Sequence, residues 1–167
     1  MSTEKNEINF IIGQPIVYPQ QGVGIVKGIQ ERNIKGKPTK YYNIYLQNSD
    51  MTILIPIDKA QEIGLRNVVS EEEATMALNS ISSKYEPVST DWKMRYQISQ
   101  ELLKQGSIMS IVRVVQSLYH RSKIKELPIQ ERKLFDVALD LLTDEASFAT
   151  GKTKDEVNRL IHSKLEK

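Results

Sequence analysis

Between Phe10 and Pro56 the apolar residues fall in short runs of branched and aromatic side chains: Ile16-Val17-Tyr18, Gly24 to Ile29, Tyr41 to Leu46 and Met51 to Pro56. Such runs predict β-strands. They are separated by Pro19-Gln20-Gln21-Gly22, by Ile34-Lys35-Gly36-Lys37-Pro38 and by Gln47-Asn48-Ser49-Asp50, segments rich in residues that accept turn dihedrals. Several short strands with tight turns in so short a span predict a small, strongly bent antiparallel sheet or barrel. Its edge could be extended by a partner strand.

After Pro56 the apolar spacing becomes helical. A short turn is expected around Ile57 to Ile63, and Ser70-Glu71-Glu72-Glu73 has the spacing of a capping box, followed by Ala74, Ala77, Leu78 and Ile81 on one face. Pro87 breaks that helix by disfavouring helical geometry at Glu86. A further helix is expected to start near Asp91 and to end at Gly106. The next begins at Ser107, with Ile108, Ile111, Val112, Val115, Leu118 and Tyr119 inward. Beyond Leu127-Pro128, a stripe of Leu134, Phe135, Ala138, Leu141 and Leu142 runs to Gly151. Thr153 to Glu156 forms a second capping box before Val157, Leu160, Ile161 and Leu165. The expected fold is therefore α+β: a small antiparallel sheet in residues 8–68 and an all-helical bundle in residues 69–167.

The helix opening at Asp91 carries the only tryptophan, Trp92, in the segment Thr90-Asp91-Trp92-Lys93-Met94-Arg95-Tyr96. Two apolar stripes compete for the core on it. If the bundle buries Met94, Ile98 and Leu102, then at 100° per residue Trp92 lies roughly 120° from the centre of that stripe, with an edge available to solvent. An exposed ring flanked by cations can stack on a nucleic-acid base while Lys and Arg neutralise phosphates. A buried Trp92 would instead be a core anchor.

Net charge locates the cations. Residues 1–84 sum to zero, residues 85–133 carry 9 basic against 5 acidic side chains, and the remainder is net acidic. The local excess fits nucleic acid, although scattered cations also serve as a solvated helix surface. Cysteine is absent, which excludes disulfides, thiol nucleophiles and cysteine-based zinc sites. A reducing, cytoplasmic location fits that absence. The polar N-terminus and the lack of a long apolar run predict neither a signal peptide nor a membrane span.

Catalytic chemistry finds no foothold. His120 and His162 are far apart and read as surface residues without metal-ligand spacing. Gly22-Val23-Gly24 lacks the rest of a phosphate loop and reads as a hairpin bend. Glu71 to Glu73 suit the positive end of a helix. No enzyme activity, metal, cofactor or small-molecule substrate is expected.

The segments Val17-Tyr18-Pro19-Gln20-Gln21-Gly22-Val23-Gly24, Ile34-Lys35-Gly36, Ile55-Pro56, Gly64-Leu65-Arg66 with Val68-Val69, and Asp91 to Tyr96 occur in an order that resembles the CarD/CdnL transcription regulators. The resemblance spans nearly the whole chain from Gly13. It implies a Tudor-like domain docking on the RNA polymerase β subunit and a helical domain contacting promoter DNA, in a cytoplasmic, monomeric regulator of bacterial type. The first domain is also similar to the polymerase-binding module of the transcription-repair coupling factor, whose helicase motor this chain lacks. By position, the resemblance implies polymerase contacts at Arg32, Asn33 and Ile34. Where some relatives carry a second arginine, this chain has Leu54, an apolar contact in place of an ion pair. Trp92 would be the wedge at the upstream edge of the transcription bubble, with Lys93, Arg95, Arg132 and Lys133 holding phosphates. Two other readings stand beside this one: a free architectural DNA-binding protein, and a Tudor-like peptide reader with a cage drawn from Tyr18, Tyr41, Tyr42 and Tyr45.

Overall fold

The computed structural model describes residues 10–83 and 90–167. The chain is α+β and divides into two compact units, one ending at Val68 and the other starting at Val69. Pro87 and its proposed helix break lie outside the described residues.

The first unit is a five-stranded antiparallel sheet in the order β4-β3-β2-β1-β5. Its strands are β1 (Pro15–Tyr18), β2 (Gly22–Ile34), β3 (Lys37–Leu46), β4 (Met51–Pro56) and β5 (Arg66–Asn67). A 3-10 turn (Ile57–Lys59) and the short helix α1 (Ala60–Ile63) lead from β4 to β5. One face buries Ile16, Val26, Tyr42, Ile44, Leu46 and Ile55 with Phe10 and Leu65. Phe10 meets Tyr42 edge-on, and its backbone N–H donates to the Tyr42 hydroxyl at 3.2 Å.

The β2–β3 hairpin is longer than the apolar runs predict. Its turn places Lys35 at φ 52° and Gly36 at φ 78°, the two consecutive positive dihedrals of a two-residue hairpin loop that matches strand twist. β1 pairs with β2 only as far as Ile25, and β4 covers β3 only from Tyr41. Among the described residues, the distal hairpin is therefore two-stranded with both outer edges open. Nearer the core, a Cβ at Gly24 would sit 2.8 Å from Ile44 Cγ2 and 3.1 Å from the Tyr45 carbonyl oxygen. Since the carbonyl belongs to the paired strand and cannot easily move, Gly24→Ala should destabilise this unit by about 1–3 kcal/mol. Urea unfolding should show a lower midpoint at unchanged slope.

The second unit packs α2 (Glu71–Ser80), α3 (Trp92–Gln105), α4 (Ile108–Ile124), α5 (Ile129–Thr150) and α6 (Lys154–Leu165) around one apolar core. Ser70 and Thr153 accept from the backbone N–H of Glu73 and Glu156, as the two capping boxes predict. Gly106 and Gly151 end α3 and α5 in left-handed conformation. Buried polar side chains fix the chain between helices: Gln116 Nε2 donates to the Ile81 and Ser83 carbonyls, and Glu145 accepts from Val69 N–H at 3.1 Å.

The rotational phase of α3 differs from expectation. Arg95, Ser99 and Leu103 are buried, whereas Met94 is 53% exposed and Ile98 also faces solvent. The inward stripe is partly polar, and of the two competing stripes the bundle does not bury the one that holds Met94 and Ile98.

Candidate functional site

Trp92 is the first residue of α3 and is 38% exposed. Its angular position lies on the inward side, near Ser99 and Leu103, so helix phase does not account for its exposure. Placement in the first turn does. Asp91 caps the helix by accepting from Lys93 N–H at 3.1 Å, and the Lys93 side chain, next in sequence after Trp92, is exposed. The first turn of α3, like that of α4, carries no acid, and the Asp91 carboxylate at the cap supplies the negative charge at the start of α3.

Arg95 corrects the sequence-based expectation of a phosphate contact. Its side chain is inside the bundle, where Nε and Nη2 donate to the two carboxylate oxygens of Glu131 at 2.7 and 2.8 Å. Nη1 donates to the Thr90 carbonyl at 3.1 Å. Glu131 is 0% exposed and lies in the first turn of α5, where the helix dipole favours its charge. The guanidinium is thus bound to a carboxylate in bidentate geometry and is turned away from solvent.

The next two residues of α5, Arg132 and Lys133, are exposed. Arg132 donates to Glu126 at 2.8 Å in a solvent-exposed pair, a weak partner that a phosphate could displace. The Arg95–Glu131 pair joins the first turns of α3 and α5, the turns that carry Trp92 and Lys93 on one helix and Arg132 and Lys133 on the other. Glu131 and the Thr90 carbonyl are the parts of this arrangement that sequence reasoning missed. An acid in a first turn ordinarily reads as dipole compensation, and nothing local marks it as buried.

In the sheet unit, Arg32 opposes Thr39, Ile34 opposes Lys37, and Leu54 opposes Asn43. Strand alternation puts Arg32, Ile34 and Leu54 on the face opposite the core, and Asn33 on the other face. Arg32, Asn33 and Ile34 are exposed near the open hairpin edge, whereas Leu54 is half-buried on the edge strand β4. Four residues along and two strands across separate Arg32 from Leu54 by roughly 17 Å, so the two could meet only an extended partner surface. The outward positions of β2 to β4 include Lys27, Arg32 and Lys37 and no acidic residue. Lys27 Nζ lies 5.7 Å from the centre of the Tyr45 ring, while the Tyr45 hydroxyl bonds Asp50 in the following turn. That hydrogen bond raises the Tyr45 pKa from its ordinary value.

The aromatic cage is not assembled. Tyr42 is in the core and Tyr18 packs against it, whereas Tyr41 and Tyr45 point from the opposite face. Among the described residues, no group of three His, Asp or Glu side chains is placed to hold a metal, and no helix is long and apolar enough to cross a membrane.

Residues 10–69 match the family described as "CarD-like/TRCF RID domain", and residues 76–162 match "CarD, C-terminal domain". The chain belongs to the CarD-like family. A protein of Bacillus subtilis (strain 168) named "Putative transcription factor YdeB" is 32% identical over 152 residues, covering 89% of this chain and 97% of that protein. In this CarD-like chain the first match covers the sheet with Arg32, Ile34 and Leu54. The second covers Trp92, Lys93, the Arg95–Glu131 pair and the exposed cations of α5.

Proposed function

We propose that this CarD-like protein is a transcription regulator that docks on the RNA polymerase β subunit through its sheet and stabilises the promoter open complex through its helical unit. The observation that carries this reading is the exposed ring of Trp92 at the start of α3, next in sequence to the exposed cation Lys93. Strand separation exposes an unstacked base, and a ring held at that junction makes reannealing less favourable. Lys93, Arg132 and Lys133 hold backbone phosphates without reading base edges. Arg32, Ile34 and Leu54 contribute the polymerase-facing surface, with the open β2 edge supplying backbone hydrogen bonds and Asn33 contributing from the other face. Docking raises the effective concentration of the helical unit at the promoter, so weak affinity for free DNA suffices.

Footprinting of promoter DNA with polymerase, with and without this protein, tests the reading. Increased melting or protection at the upstream bubble edge is expected. Arg32→Glu should weaken capture of core polymerase while leaving the helical unit folded. Wild-type protein that neither binds polymerase nor changes the footprint would overturn the proposal. Salt-sensitive binding to free duplex in the absence of polymerase would favour a stand-alone architectural role.

A further inference from the structure

Arg95 spans the residue it serves. Thr90, two residues before Trp92, gives its carbonyl to the Arg95 guanidinium, and Asp91 gives its carbonyl to the Arg95 backbone N–H at 3.0 Å. Three residues after Trp92, the same guanidinium is fixed to Glu131 through both carboxylate oxygens. The backbone on either side of an exposed ring is therefore tied to a buried anion on another helix. A terminal helical turn without such a tie would fray.

We propose that Arg95 and Glu131 are positioning residues for Trp92, holding the ring at a set angle and in register with Arg132 and Lys133. Their action on DNA rests on the preceding functional reading, but their hold on the ring is a property of the free protein. Ion pairs buried this completely contribute little net stability compared with well-packed apolar replacements, while their directed bonds can specify one arrangement. A positioning role therefore separates from a stabilising one. Replacing both partners by apolar residues should preserve the bundle and release the turn.

The variant is Arg95→Met with Glu131→Leu, and Trp92 itself is the probe because the chain has no other tryptophan. Thermal unfolding should remain cooperative with a melting temperature near that of the wild type. Trp92 emission should shift to longer wavelength, its anisotropy should decay faster, and quenching by acrylamide should increase. On polymerase and promoter, open-complex lifetime should fall by about fivefold or more, approaching that of Trp92→Ala. Arg95→Lys is the second variant and decides the matter if the double replacement does not fold. A lysine keeps the charge beside Glu131 but lacks the fork needed to bind two carboxylate oxygens and the Thr90 carbonyl together. It should change fluorescence in the same direction. Unchanged emission, anisotropy and quenching in a folded variant would overturn the proposal. If the ring is released while Trp92→Ala leaves open-complex lifetime unaltered, the positioning role stands and the DNA reading fails.

Discussion

Trp92→Ala should shorten the lifetime of the promoter open complex by about 5- to 150-fold while leaving the protein folded and bound to polymerase. The range corresponds to the stacking of one base on one aromatic ring, about 1–3 kcal/mol, realised only when the strands are apart. Stability should fall by about 1–3 kcal/mol, because more than half of the ring is covered, so lifetimes are compared at a temperature where both proteins are folded. Lifetimes are measured by challenging preformed complexes with a competitor that traps released polymerase. Trp92→Phe retains an aromatic face and should recover part of the effect. A folded Trp92→Ala protein with wild-type lifetimes would remove the wedge from the mechanism.

Glu131→Ala should destabilise the helical unit by about 3–5 kcal/mol, one of the largest single-residue effects expected in this chain. Removing the carboxylate strands a guanidinium inside the bundle, and that desolvated charge has no apolar way to be satisfied. Glu126→Ala offers a direct contrast. It removes the acid from another arginine pair of similar length, but both side chains are in solvent, and the loss should be about 1 kcal/mol or less. Chemical denaturation of the two variants side by side checks both values. Equal, small losses would show that the bundle rearranges to hydrate Arg95.

Features set by neighbouring residues were legible before the fold was known. Ser70 to Glu73 and Thr153 to Glu156 form the expected caps, and Gly106 and Gly151 end their helices, because these interactions need only a single turn of chain. Features set by distant residues were not. Gln30 to Asn33 lack the apolar alternation that marks a half-buried strand, yet they extend β2 through pairing with β3. β5 has two residues and exists because β1 is there to receive it. Arg95 and Glu131 are 36 residues apart, and a charge pair facing inward reverses the usual reading of which side of α3 is the core. Trp92 was found exposed for a reason different from the one its angular position suggested. The ring projects from a helix end.

The long β2–β3 hairpin has a bearing on self-association. An open two-stranded edge is a template for any other strand, including the same edge on another copy. Residues 27–40 carry Lys27, Arg32, Lys35, Lys37 and Lys40 against the lone acid Glu31. Pairing two such hairpins edge to edge would bring two clusters of positive charge within a strand spacing of each other, so like-charge repulsion opposes filament or dimer formation at the edge left open for a partner.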